Sequence, residues 1–176
     1  LRQNDLINFR TFSGWWGTAK YLGNKIQIIE TSFTKTTHKI FIGVPDKNSQ
    51  KECVEHAIAM GYGDINFIHS QNAEDHRVNI EKLYTNAKTA QKQSLYTGPV
   101  QINEVLQADI PWHQLIGFDK SGAPITPQFK ISSNFFPCIG PPGGLSSEEI
   151  SKMSAIYSLP CPILKTEVAV LGICMV

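Results

Sequence analysis

Residues 38–44 read HKIFIGV, a run that is too apolar for a strand with one face in water. Such a run is typical of a parallel strand that is covered on both faces. Pro45 and Asp46 end the run, and the S-x-x-E spacing of Ser49 and Glu52 then predicts a capping box at the start of a helix over 49–60. The segment therefore begins with a buried strand that leads directly into a helix.

The same pattern follows a second time along the chain. Residues 64–69 (DINFIH) are strand-like, and Asn72 with Asp75 is predicted to cap a second helix, whose apolar stripe continues to about Gln93. A strand, a helix and a strand in succession favour a parallel crossover. We predict an α/β (or α+β) fold, a mixed sheet with a parallel β-α-β-α unit at about 38–93 and helices packed on it.

The flanking segments carry weaker patterns. Trp15 and Trp16 lie among glycines in a predicted turn, where we expect them to be core anchors. Strands are predicted over 8–13, 25–33, 114–118 and 168–175, short helices over 100–107 and after a cap at Ser146, and a turn over 119–122. Since no repeat or linker interrupts the chain, 1–176 is predicted to be a single domain.

Composition narrows the class of protein and of partner. The chain is 41% hydrophobic and 18% charged, which is typical of a soluble globular domain, and no apolar run is long enough for a membrane helix. Sixteen Lys and Arg against fifteen Asp and Glu leave a net charge of +1. Without a global positive field, nucleic acid is not indicated as a partner, and a small-molecule ligand or a protein partner is expected instead.

The four cysteines have no CxxC or other metal-binding spacing. We interpret them as reduced thiols, which favours a cytoplasmic location. The opening residues LRQND show neither an initiator Met nor a signal peptide, so a processed or excised fragment is an open alternative to a chosen chain boundary.

Ligands in open α/β sheets bind beyond the carboxyl ends of the strands. The first two predicted strands end at Asp46 and His69, and we predict His69 as a catalytic acid or base with Asp46 as an orienting or charge-stabilising group. The predicted ligand-binding residues around the same crevice are Lys47, Ser70, Gln71, Asp119 and Lys120. Each carboxylate could instead be a helix cap or turn residue without function. No metal site and no particular cofactor are predicted.

A cysteine nucleophile is a second possibility, because a catalytic Cys and His need only meet in space. Cys138 and Cys161 lie in proline-containing segments that could hold a thiol rigidly, with His38 or His113 as base. Buried thiols that lack a nearby His behave as small apolar groups, which is the alternative reading of all four.

No phosphate-loop motif is present, and residues 140–144 (GPPGG) are predicted to be a rigid turn, because two prolines remove N–H groups that a phosphate cradle would use. The glycine pair just ahead of a capped helix leaves anion binding at this turn as a lesser alternative.

The run at 38–43, followed by a polar loop and a helix, resembles the opening of TIR-like and nucleoside deoxyribosyltransferase-like domains. The resemblance implies cleavage of N-glycosidic bonds of NAD or nucleosides. It extends over about 30 residues and places no catalytic Glu, so we assign no family on it.

The functional hypothesis from the residues is a small α/β enzyme, a hydrolase or transferase, that acts on a nucleotide-like or other anionic small molecule. The alternatives are a cysteine enzyme of the protease or deamidase kind and a non-catalytic binding module. The binding module would be a piece of a larger toxin or effector, with Trp15, Trp16 and the proline-rich stretch 119–144 as its contact surface.

Overall fold

A computed structural model describes residues 1–35, 37–74, 76–160 and 164–174. An antiparallel three-stranded sheet contains β1 (Leu6–Arg10), β2 (Trp15–Tyr21) and β3 (Ile26–Phe33). The strands of a six-stranded sheet are β4 (His38–Gly43), β5 (Tyr62–Ile68), β6 (Gln101–Val105), β7 (Leu115–Pro124), β8 (Phe136–Ile139) and β9 (Ala155–Ser158). The helices are α1 (Lys47–Ala59), α2 (Ile80–Ser94), α3 (Ser147–Lys152) and α4 (Thr166–Ile173). Two 3₁₀ turns lie at Gln107–Asp109 and Trp112–Gln114.

The parallel unit predicted at about 38–93 is confirmed. β4 and β5 pair in parallel, with Ile42 opposite Phe67, and α1 connects them. The strand order in the larger sheet is β6-β5-β4-β8-β7-β9, and the pairings found among its described residues are all parallel. Ile40 and Ile42 are fully buried, as expected for a central strand that is covered on both faces. The fold is α/β, with helices packed on a parallel sheet.

The first helix begins two residues earlier than the sequence predicts. Asp46, and not Ser49, is its N-cap: an Asp46 carboxylate oxygen accepts hydrogen bonds from the backbone N–H of Asn48 (2.9 Å) and of Ser49 (3.3 Å). The Ser49 hydroxyl donates to the other oxygen at 2.6 Å. The predicted cap at Ser49 is therefore wrong, because an aspartate three residues before it already satisfies the free N–H groups.

The predicted start of the second helix is also wrong. α2 begins at Ile80, and its N-cap is Asn79, whose side-chain oxygen accepts from the backbone N–H of Lys82 at 3.0 Å. Asn72 lies in the preceding loop, where its side chain donates to the Gly143 carbonyl at 3.4 Å. Asp75 lies outside the described residues.

Two later segments adopt the opposite secondary structure to the prediction. The helix predicted over 100–107 is replaced by β6, an edge strand that pairs with β5 and buries Ile102. The strand predicted over 168–175 is replaced by α4, which buries Val170 and Ile173, three residues apart on one helical face. In both segments tertiary packing, and not local propensity, selects the element. Met175 lies outside the described residues.

The two neighbouring tryptophans are not core anchors. Trp15 and Trp16 lie in β2, and 47% and 38% of their surfaces are exposed. The smaller sheet contacts the larger unit through Phe12, whose ring meets that of Tyr84 at a centroid distance of 5.6 Å. Within the described parts of the chain, the helices are all too short or too polar to cross a membrane.

Candidate functional site

A cavity of about 580 Å³ opens beside the carboxyl ends of β7 and β8. The first wall is residues 118–121, where the pairing register of β7 shifts, and the second is the turn 139–145 after β8. The remaining walls come from α3 and from Leu159, Leu164, Thr166 and Ala169 around the start of α4. A cavity of this size at the strand ends of a parallel sheet is the usual place for a small-molecule ligand.

The turn 139–145 is held tightly by its neighbours. Gly43 at the end of β4 packs directly on Pro141, in a space that a side chain would fill. The Thr166 hydroxyl donates to the Gly140 carbonyl at 3.3 Å, and the Gly144 N–H donates to the Pro141 carbonyl at 2.8 Å. The backbone φ of Gly144 is +76°, a conformation that favours glycine. The cavity therefore has a preformed wall of main chain.

Asp119 supplies a carboxylate to this cavity. Its Oδ1 accepts hydrogen bonds from the backbone N–H and the hydroxyl of Ser121, at 2.9 and 2.7 Å. Its Oδ2 lies 3.6 Å from the position that a Cβ of Gly144 would take, so the carboxylate lies close beside the turn. Of the residues predicted to bind a ligand, Asp119 and Lys120 line this cavity.

Glu149 anchors the base of the site. Its carboxylate is fully buried and accepts hydrogen bonds from the Ser70 hydroxyl (2.8 Å), the Gln71 N–H (3.0 Å) and the Ser146 N–H (2.8 Å). The last of these belongs to a capping box with Ser146. Ser70 and Gln71, both predicted to contact a ligand, are thus engaged in tying the loop after β5 to the start of α3.

His69 follows β5, which is three strands away from β7 and Asp119 in the sheet. Its Nε2 is 2.5 Å from a carboxylate oxygen of Glu104 on β6, and both side chains are partly exposed. β5 and β7 are separated by β4 and β8, and at a strand spacing of about 4.8 Å this places the two strand ends roughly 14 Å apart. The structure therefore does not bring His69 and Asp119 into one crevice.

Asp46 and Lys47 are not among the residues that line the cavity. The Asp46 carboxylate is occupied in capping α1, and the hydrogen bond from the Ser49 hydroxyl is the main reason that its pKa lies below the ordinary value. Lys47 is the exposed first residue of that helix. In the described structure Asp46 therefore caps α1, and Lys47 lies exposed at the start of that helix.

The thiol hypothesis finds little support in the described residues. Cys138 lies fully buried in β8, and burial raises the pKa of its thiol well above the ordinary value, with the Glu149 carboxylate adding to the shift. Burial also raises the pKa of Cys174 to about 12. A thiol that stays protonated is a poor nucleophile. Cys161 lies outside the described residues.

Sequence reasoning did not identify the turn 139–145 or Glu149 as parts of a site. The glycine-rich turn was predicted to be a rigid turn, with anion binding only as a lesser alternative, because its prolines remove N–H groups. Glu149 was visible only as the third residue after the Ser146 cap, a spacing that predicts a helix start and nothing more. The contact of Glu149 with the loop after β5 spans 79 residues of sequence and has no local signal.

Comparison with protein families finds a match over residues 34–176 to the RNA methyltransferase domain. This match contradicts the prediction that nucleic acid is not indicated as a partner, and it replaces the small-molecule substrate with RNA. It supports the transferase half of the predicted function. The matched family is also different from the TIR-like and nucleoside deoxyribosyltransferase-like domains that residues 38–43 resemble. A search of curated proteins found no relative of this chain.

Solved structures share the fold over 99% of this chain. A probable rRNA-methyltransferase from Porphyromonas gingivalis is 20% identical, with a TM-score of 0.81 and 84% of its own chain covered. A ribosomal RNA small subunit methyltransferase E from Neisseria gonorrhoeae bound to S-adenosyl methionine is 16% identical, with a TM-score of 0.76 and 83% covered. A methyltransferase from Legionella pneumophila in complex with the bound cofactor SAM is 14% identical, with a TM-score of 0.76 and 83% covered.

Proposed function

Because this chain belongs to the RNA methyltransferase domain family, we propose that it transfers a methyl group from S-adenosylmethionine (SAM) to ribosomal RNA, using the cavity beside β7 and β8. The observation that carries the proposal is the cavity itself, which has a main-chain wall, an apolar side and a carboxylate. The proteins from N. gonorrhoeae and L. pneumophila, which share the fold, were solved with SAM. An enzyme with this substrate would work where ribosomes are found, which agrees with the predicted cytoplasmic location.

The residues of the cavity fit the chemistry of SAM. The volume of about 580 Å³ lies in the ordinary range for small-molecule sites. Ile139, Leu145 and Leu159 offer an apolar surface for a flat purine ring. Asp119 offers a carboxylate whose Oδ2 is not used by Ser121, and SAM carries a sulfonium and an ammonium group that a carboxylate favours. When bound, SAM supplies a methyl group on a positively charged sulfur, which a nucleophilic atom of RNA can attack.

The turn 139–145 would position the ligand through shape more than through donors. Pro141 and Pro142 have no N–H group, and the Gly144 N–H is already bonded to the Pro141 carbonyl, so few main-chain donors of this turn remain free for a ligand. Glu149 keeps the turn in place by fixing the backbone N–H of Ser146, directly after it. We therefore expect the ligand to lie against this rigid wall, with the Asp119 carboxylate beside it.

The decisive experiment fills the cavity without touching the rest of the fold. Ala169 lines the cavity on α4, whereas its neighbour Val168 is 41% exposed. Ala169→Trp is expected to abolish SAM binding in calorimetry and methyl transfer from radiolabelled SAM to ribosomal RNA, while Val168→Trp leaves both near wild type. Thermal denaturation of both variants checks that they fold. SAM binding by a folded Ala169→Trp protein, or no methylation of ribosomal RNA by the wild type, would refute the proposal.

A further inference from the structure

We propose that a groove between β1 and α2 binds the phosphate backbone of the RNA substrate, an inference that rests on the proposed function. The groove has a volume of about 460 Å³ and is lined by residues 8–12 and by Lys88, Gln91 and Lys92 of α2. It joins the smaller sheet, which precedes the family match at residue 34, to the part of the chain that the match includes. RNA in this groove would contact both units at once.

The groove concentrates positive charge in a chain whose net charge is only +1. Arg10, Lys88 and Lys92 line it, and its other lining residues carry no carboxylate. None of these three cations takes part in a salt bridge within the described parts of the chain. Lys88 and Lys92 are four residues apart on α2, a spacing at which like charges repel. An anion between them would remove that repulsion.

The side chain of Arg10 has a hydrogen-bond donor that lacks an acceptor in the described part of the chain. Its Nε is buried and has no hydrogen-bond partner among the described residues. A buried donor without a partner is unfavourable and is usually explained by a ligand or a water at the site. The planar guanidinium donates in a geometry that matches phosphate oxygens, and the two lysines add mobile point charges.

The walls of the groove are held together before any ligand arrives. The Gln91 side chain donates to the carbonyls of Thr11 (3.4 Å) and Gly98 (3.3 Å), which ties α2 to the turn after β1. Phe12 packs edge-on against Tyr84, and the Lys88 ammonium lies 5.8 Å from the centre of the Phe12 ring. A preformed groove loses less conformational entropy when it binds.

The surroundings favour RNA over a free phosphate ion. Trp16 lies directly opposite Arg10 in the pairing of β1 and β2, and it is 38% exposed. Directly paired residues point to the same face of a sheet. An exposed indole beside a cationic groove is a surface on which a base can stack while its phosphate contacts Arg10. The groove thus offers both contacts that single-stranded RNA uses.

The test compares two triple variants with equal loss of charge. Arg10→Gln/Lys88→Gln/Lys92→Gln removes the groove cations, and Lys25→Gln/Lys51→Gln/Lys130→Gln removes three exposed lysines that do not line it. Binding of fluorescein-labelled oligouridylate is followed by anisotropy at several salt concentrations. Each phosphate contact contributes about 0.7 to the slope of log Kd against log salt, so the groove variant should lose about 2 in slope and about 100-fold in affinity at ~0.1 M salt.

The control variant should stay within about threefold of wild type, and Trp16→Ala should weaken oligouridylate binding without changing the salt slope. Equal losses in both triple variants, or an unchanged slope in the groove variant, would overturn the groove proposal. So would displacement of oligouridylate by equimolar inorganic phosphate, or no oligouridylate binding by the wild type. Calorimetry with SAM separates the two proposals. If the wild type binds oligouridylate through the groove but does not bind SAM, the proposed function is refuted and the groove proposal stands.

Discussion

Replacement of Glu149 should be among the most damaging single changes in this chain. The carboxylate is fully buried and satisfies three donors, the Ser70 hydroxyl and the N–H groups of Gln71 and Ser146. Glu149→Ala would leave these donors without a protein partner, the Ser70 hydroxyl in a buried position and the N–H groups of Gln71 and Ser146 in partly buried ones. A buried donor that loses its partner costs about 1–3 kcal/mol, so the loss of three should lower the free energy of unfolding by about 3–5 kcal/mol after partial relaxation.

A more conservative change should cost less, in a way that the geometry specifies. Ser70 and Ser146 both donate to one oxygen, Oε2, whereas Gln71 donates to Oε1. In Glu149→Gln one amide oxygen can keep the first pair, and the amide NH₂ then faces the Gln71 N–H. One donor is lost instead of three, so Glu149→Gln should lose about 1–3 kcal/mol of unfolding free energy.

Urea denaturation of the purified variants measures these losses, with Glu148→Ala as the matched control. Glu148 is the adjacent residue of α3 and holds Lys152 and the Gln71 side chain at the exposed surface, where such contacts contribute little. The expected order of stability is wild type and Glu148→Ala, then Glu149→Gln, then Glu149→Ala. A Glu149→Ala protein as stable as the Glu148→Ala control would refute the anchoring role of Glu149. If Glu149→Ala does not fold, the Gln variant alone decides.

Three further predictions follow from the site and its surroundings. Asp119→Asn removes the negative charge, while its amide oxygen can still accept hydrogen bonds from Ser121. This variant should weaken SAM binding about 10- to 100-fold in calorimetry. The control Asp109→Asn lies outside the cavity and should leave SAM binding unchanged. Asp46→Ala should lower the unfolding free energy by about 1 kcal/mol at neutral pH. Because the pKa of Asp46 is lowered in the folded protein, the carboxylate stabilises the fold fully above about pH 4, and this stabilisation is lost as the pH falls through the lowered pKa. A difference in unfolding free energy between Asp46→Ala and wild type that does not change with pH would contradict this. Cys138, whose thiol pKa is raised by burial, should not react with iodoacetamide at pH 8 in the native protein and should react only after denaturation. Mass spectrometry identifies which cysteine is alkylated in each case.

The parallel unit could be predicted because its signals are local. The run at 38–44 is apolar on both faces, and Ile40, Ile42 and Val44 are indeed fully buried. The capping residues were harder to assign, because Asp46 and Ser49 are both good N-cap residues and only geometry shows which one accepts the free N–H groups. α4 was mistaken for a strand because a short apolar run gives no period that separates a buried helix from a buried strand.

The strand-end residues predicted from the sequence lie at separate places in the sheet: Asp119 and Lys120 line the cavity, whereas His69 lies at the end of β5. Strand ends were chosen in the order in which they follow one another in sequence, and that choice placed His69 beside Asp119. The chain instead inserts β8 between β4 and β7, so the β5 end and the β7 end are three strands apart. Strand order depends on pairings such as Phe41 with Cys138, nearly a hundred positions apart, which no local pattern encodes.

The net charge of +1 led to the wrong prediction about nucleic acid, and the distribution of charge in the fold offers a physical reason. Sixteen cations and fifteen carboxylates nearly cancel over the chain. Lys39, Lys51 and Lys152 are each paired with a neighbouring carboxylate, whereas Arg10, Lys88 and Lys92 line one groove together. Arg10 lies in β1, whereas Lys88 and Lys92 lie in α2, so their proximity is a property of the fold. Because phosphates are bound by local charge at short range in salt, the sum over a whole chain is a poor criterion for excluding RNA.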